Sequence, residues 1–185
     1  KSGLKTLRLN INPTGLVESV TVDMGTPEFS PEKIPVITAN NCSNNIKIEI
    51  PPYGELNASC VSMGNPHAVC FTDNVDSLEL DRIGPLCEEN PIFPESVNTE
   101  FVEIIDEHNL KFRVWERGSG ETLACGTGIC AAAVIACEKG YCKRGEKINV
   151  FARGGRLEIN YRNDGRVEMT GPAEISYTGL VEYDG

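Results

Sequence analysis

Residues 126–139, Gly-Thr-Gly-Ile-Cys-Ala-Ala-Ala-Val-Ile-Ala-Cys-Glu-Lys, show no polar stripe until their last turn. A surface helix keeps one polar face. This helix must therefore be buried on most sides, and its small side chains let neighbouring strands approach closely. Gly140 is placed to end it as the residue after the C-cap. Most of the remaining chain reads as strands. Leu7, Leu9 and Ile11, then Val20, Val22 and Met24, alternate with polar residues about a turn at Asn12-Pro13-Thr14-Gly15. Further strands are expected at Ile46–Ile50, Ala58–Met63, His67–Thr72, Glu100–Asp106, Leu110–Glu116, 147–152, 155–161, 165–170 and 173–183. A second helix over 77–90 carries Leu78, Leu80, Ile83 and Leu86 at helical spacing, with Asp76 or Ser77 as its N-cap. Gly84-Pro85 is expected to kink or split it. Many strands with two helices define an α+β fold, here a strand-rich sheet or barrel wrapped around a central helix.

Composition removes several function classes. The 185 residues carry 17 basic against 27 acidic side chains, a net charge of -10, which repels nucleic acid and anionic membranes. No apolar run approaches the roughly 20 residues of a membrane span. Lys1-Ser2-Gly3-Leu4-Lys5 lacks the apolar core of a signal peptide. The eight cysteines, at 42, 60, 70, 87, 125, 130, 137 and 142, show no tight repeated spacing, and several lie in apolar runs. They read as buried, reduced thiols, and a cytoplasmic location is expected on that ground. Cys125-x4-Cys130-x6-Cys137-x4-Cys142 is not a zinc spacing, and two histidines add little, so no metal is expected.

Chemistry concentrates where the central helix begins. Cys125 precedes Gly126-Thr127-Gly128, whose first-turn amides are free and whose helix dipole attracts anions. The same field stabilises a thiolate, so Cys125 is expected to have a lowered pKa; the alternative is a buried cysteine before an ordinary helix. Cys130 and Cys137 share one helical face and read as packing residues. Glu116 and Arg117 close a strand before Gly118 and Gly120, and such a pair suits a zwitterionic ligand. On its own it is more often a solvated surface pair. A second polar cluster, Met63-Gly-Asn65-Pro-His67-Ala-Val69, is expected to project Asn65 and His67 from a sheet edge, with His67 either structural or a general acid or base. Asn98 alone reads as a turn residue, and His108 as a structural residue at a hairpin tip.

Together these segments resemble the diaminopimelate epimerases. Glu116-Arg-Gly-x-Gly-Glu-Thr-x-Ala-Cys-Gly-Thr-Gly128 is similar to that family's second-cysteine signature, and Met63-Gly-Asn-Pro-His67 and Val97-Asn98 match two further segments in order. Proline racemases and hydroxyproline epimerases share only the Cys-Gly-Thr-Gly core. The resemblance implies pyridoxal-independent, cofactor-free interconversion of L,L- and meso-diaminopimelate by two cysteines on opposite faces of the α-carbon. It implies Cys125 as one acid/base, and Gly126 and Thr127 amides on the α-carboxylate. Asn65, Asn98, Glu116 and Arg117 would take the distal amino-acid end, with Glu116 and His67 tuning thiol protonation. A homodimer is expected for the intact protein.

The family's first catalytic segment, Cys-Gly-Asn-Gly, is absent, and no other cysteine precedes a Gly-rich helix start. The chain is accordingly expected to be a carboxy-terminal part of such an enzyme, inactive alone. Residues 1–26 and 172–185 would be remnants of an amino-terminal domain, and residues 27–171 a complete carboxy-terminal one. The rival readings are a racemase of another amino acid on the same fold and a non-catalytic binding domain.

Overall fold

A computed structural model describes residues 5–182. Eleven strands run in chain order: β1 (Leu7–Ile11), β2 (Val17–Gly25), β3 (Ile46–Glu49), β4 (Glu55–Ser62), β5 (Pro66–Phe71), β6 (Asn98–Asp106), β7 (Asn109–Glu116), β8 (Gly120–Glu121), β9 (Lys147–Ala152), β10 (Gly155–Tyr161) and β11 (Val167–Pro172). The helices are α1 (Leu80–Glu88) and α2 (Gly126–Glu138). All strands join one sheet in the order β1-β2-β11-β10-β9-β7-β6-β5-β4-β3, with β8 paired to β7. The β5–β6 and β7–β9 pairs are parallel and the rest antiparallel.

The sheet encloses α2, which packs against β4, β5, β6, β7, β9, β10 and β11. Every residue from Gly128 to Ala136 is buried, as the missing polar stripe demands. Gly140, with φ 79°, ends the helix, and the Tyr141 amide bonds back to the Ala136 carbonyl at 2.9 Å. The opposite face of β3 to β6 carries a second core, where Ile48, Cys60, Cys70 and Phe101 meet Ile34, Cys87 and Phe93. Period-two alternation decides which core each residue joins. On β6, Val102 points to α2 and Phe101 to the second core, so Asn98 and Glu100 fall in phase with Val102.

Three local expectations are corrected. The helix over 77–90 begins only at Leu80, because Asn74 caps a separate 3-10 turn at Val75–Ser77 through the Asp76 amide; Glu79 then serves as the helix N-cap without a side-chain bond. Pro85 lies inside α1, which is not split there. The last expected strand does not form over residues 173–182. The Ala173 amide bonds to the Glu18 carbonyl at 3.1 Å, after which Ile175, Tyr177, Leu180 and Val181 stand exposed; residue 183 lies outside the described residues. Leu7, Leu9 and Ile11 on edge strand β1 are also exposed. Of the expected amino-terminal and carboxy-terminal pieces, residues 1–4 and 183–185 lie outside the described part.

Gly84 is needed where α1 meets Trp115 of β7. A Cβ there would stand 2.2 Å from Trp115 Cδ2. Alanine normally gains about 0.8–1.0 kcal/mol over glycine inside a helix, yet overpacking costs about 1–3 kcal/mol. We expect Gly84→Ala to destabilise on balance, measured as a lower denaturant midpoint. An unchanged or higher midpoint would show that α1 can move away from the indole.

Candidate active site

The first residues of β5 and β6 and the last of β7 meet at one end of the sheet, where α2 begins. His67 and Asn98 are register partners across the parallel β5–β6 pair, and Thr99 faces Trp115 across β6–β7. Cys125 is the N-cap of α2, in extended conformation, and is 7% exposed. Its Sγ lies 3.6 Å from the Thr127 hydroxyl.

The thiol does not have the lowered pKa expected from its helix position. Burial pushes Cys125 up to about 11. The Thr127 hydroxyl and the Gly128 amide pull downward, while the nearby Glu100 and Glu116 carboxyls push upward. Removal from water outweighs the polar groups of the helix start. At neutral pH Cys125 is a thiol, able to give a proton rather than take one.

Gly128 also has a different reason to be glycine. A Cβ there would sit 2.7 Å from Glu100 Oε1, so the residue makes room for a buried carboxyl. Gly126 lies against the Met169 side chain, 3.4 Å from where its Cβ would be.

The Glu116-Arg117 pair is held by the loop after β7. The Glu116 carboxylate accepts a short hydrogen bond from the Thr122 hydroxyl. The Arg117 amide donates to Asn98 Oδ1 at 3.0 Å, and its guanidinium donates to the Glu95 carbonyl at 2.7 Å. Asn98 Nδ2 donates to the Pro66 carbonyl at 2.7 Å, so this buried residue ties β5 to the Arg117 loop rather than forming a simple turn. Gly118 and Gly120 take φ of 74° and 76°, where side chains are strained, and so let the loop turn back toward α2. Glu88 of α1 clamps this loop from the other side. It accepts from Trp115 Nε1 and from the Gly118 amide, both at 2.7 Å.

His67 does not stand at a sheet edge. Strand β5 lies between β4 and β6, and His67 is 0% exposed. Its Nε2 is 3.0 Å from Asn65 Oδ1 and its Nδ1 is 2.7 Å from Glu100 Oε1. Sequence reading missed Glu100, although it sits in an apolar run in phase with Val102, a position where a charged residue needs a reason. It missed Glu88 and Thr122 as well, which act through tertiary contacts that no local pattern announces.

The other seven cysteines are free thiols. Cys60, Cys70 and Cys87 belong to the second core, across the sheet from Cys125. Cys137 lies in the last turn of α2 and Cys142 just beyond it, while Cys130 is fully buried. A surface cavity of about 410 Å3, lined by Asp76, Lys111, Arg113 and Arg153 among others, shares no residue with this site. Its cations are already paired, Lys111 with Asp76 and both arginines with Glu121. Among the described residues, no helix is long and apolar enough to cross a membrane.

This architecture is shared with racemases and epimerases. It matches a probable proline racemase from Agrobacterium radiobacter at TM-score 0.68 and 14% identity, over 99% of this chain and 58% of that one. A predicted epimerase from Pseudomonas aeruginosa matches at TM-score 0.53 and 18% identity, over 94% and 64%. The family described as diaminopimelate epimerase matches residues 59–176. The diaminopimelate epimerases of Geobacillus kaustophilus and Bacillus subtilis are 46% and 44% identical to it, over 100% and 97% of this chain. The chain belongs to the diaminopimelate epimerase family. It spans 63% of the length of each of these two relatives.

Proposed function

We propose that this chain carries one half of a two-base, cofactor-independent epimerisation of L,L- to meso-diaminopimelate. Cys125 is one acid/base, and the second cysteine comes from sequence beyond these 185 residues. The observation that carries the reading is the Cys125 thiol at the start of α2, beside the clamped Glu116-Arg117 loop.

The α-proton of an amino acid is a very weak acid, so a carbanion forms only where charge is stabilised and water excluded. In the L,L-to-meso direction or its reverse, a base on one face removes the proton while a thiol on the other face supplies one. Cys125, protonated at rest, supplies its Sγ proton to the α-carbon and is left as a thiolate, ready to remove a proton in the opposite direction. The amides of Gly126 and Thr127 take the α-carboxylate at the positive end of α2. Glu116, Arg117 and Asn65 take the distal ammonium and carboxylate, and Asn98 fixes the Arg117 backbone. Supporting a single base within the chain, none of the other seven thiols lies at the helix start.

The same reading divides the chain into residues 27–171 as a complete domain, with 1–26 and 172–185 belonging to another. A cytoplasmic homodimer for the whole protein is part of it. The test joins this chain to the portion of the Geobacillus relative that it does not span and assays L,L-diaminopimelate against proline. Epimerisation of diaminopimelate alone is the expected result. Racemisation of proline, or of neither, would overturn the assignment.

A further inference from the structure

The line Asn65–His67–Glu100 holds more protonatable groups than the proposed reaction uses. His67 and Glu100 are both 0% exposed, and each ring nitrogen of His67 faces an oxygen, Asn65 Oδ1 at 3.0 Å and Glu100 Oε1 at 2.7 Å. Glu100 Oε2 is buried with no hydrogen-bond partner. Among the described residues, His67 is the sole basic side chain within ion-pair distance of Glu100. The other ionisable groups that act on it or feel it are Glu116 and the Cys60, Cys70 and Cys125 thiols.

Counting protons narrows the choice. If the Asn65 amide turned its NH2 to the ring, Nε2 would be bare and Nδ1–H would point at Glu100 Oε1. With Glu100 ionised, the group would carry one uncompensated negative charge out of water, among the most costly arrangements a fold can hold. With Glu100 protonated, its hydrogen would sit on Oε2, a buried donor with no acceptor. With Oδ1 toward the ring, Nε2 carries a hydrogen, and exactly one further proton lies between Nδ1 and Oε1. The group is then neutral wherever that proton sits. The orphaned Oε2 favours placing it on Glu100, since a carbonyl oxygen without a partner costs less than a carboxylate oxygen without one. Burial raises the Glu100 carboxyl in the same direction.

We propose that Glu100 is a positioning residue of this site: it shares one proton with His67 Nδ1, fixes the other on Nε2, and so turns the amide NH2 of Asn65 outward as a donor. That Asn65 donates to substrate rests on the reading above; the ring assignment does not. Gly128 belongs to the same arrangement, because any side chain there would drive into Oε1. The device resembles the carboxyl–imidazole pairs that orient a histidine in acyl-transfer enzymes, but its output here is an amide.

The test is nitrogen-15 NMR of ring-labelled histidine in the 185-residue chain without substrate, where two histidines make assignment direct and His108 is half-exposed. We expect His67 to show a protonated Nε2 in the wild type. Glu100→Gln can donate an amide hydrogen to Nδ1 from the same place, so it should retain that pattern. Glu100→Met has no donor and should lose it, giving a mixture of tautomers. A bare Nε2 in the wild type or in Glu100→Gln would overturn the proposal, as would an unchanged ring in folded Glu100→Met. These readouts need no turnover, so the proposal stands or falls apart from the epimerase assignment.

Discussion

Raising the pH above about 9 should unfold this protein over a narrow range, in reducing buffer and without denaturant. Six cysteines are buried, and burial holds each thiol above its ordinary value: about 11 for Cys125 and Cys142, about 12 for Cys87 and Cys130, and higher for Cys60 and Cys70. An unfolded cysteine ionises near pH 8.5. Between that pH and the folded values, the native chain binds more protons than the unfolded chain, so stability falls as pH rises. The stability is fully present below about pH 8.5 and is lost toward pH 11 and 12. Each such thiol contributes a slope of about 1.4 kcal/mol per pH unit once its unfolded form is ionised, and six together give about 8 kcal/mol per unit. A domain of ordinary stability, about 5–15 kcal/mol, cannot survive two units of that slope. Circular dichroism against pH reads the transition. Replacing Cys87 and Cys130 by alanine should make the curve shallower, although the two cavities lower stability at pH 7. A denaturant midpoint equal at pH 8 and pH 10 would mean that the buried thiols are reached by water.

Replacing Cys125 by alanine should abolish nearly all epimerase activity in the completed protein. Proton transfer by a positioned side chain contributes about 10^2–10^4 in rate. Here no second group at the start of α2 can take over, since Thr127 offers only a hydroxyl and the neighbouring carboxyls Glu116 and Glu100 are engaged by Thr122 and His67. We expect kcat to fall by at least about 10^3, some 4 kcal/mol of barrier, with KM changed far less. A KM effect of equal size would make Cys125 a binding residue. Cys125→Ser should not restore the rate, because an alcohol is a much weaker acid than a thiol.

The sequence made the central helix legible because burial on all sides leaves a plain record, an apolar run with no polar stripe. Strands β1 to β7 and β9 to β11 followed from alternation and from turn glycines, mostly within three residues. The expected strand after Pro172 failed because its alternating Ile175, Tyr177 and Val181 need a partner that the described residues do not supply. Around the start of α2, Cys125, Glu116, Arg117, Asn65, His67 and Asn98 stand out in the sequence as candidates, but their surroundings do not. The helix end alone predicts a lowered pKa for Cys125, whereas enclosure by the sheet decides the sign of its shift. His67 was placed at an edge because strand order cannot be read from a turn. Glu100 was missed because its partner lies 33 residues away, on a strand parallel to its own.

The central claim is that this chain supplies one of two bases. The direct measurement is proton NMR of L,L-diaminopimelate in deuterium oxide with the purified 185-residue chain and, separately, with the completed protein. We predict that the completed protein forms meso product with deuterium at the inverted α-carbon, while the chain alone forms none. Inversion by the chain alone would contradict the account, because Cys125 would then need no partner.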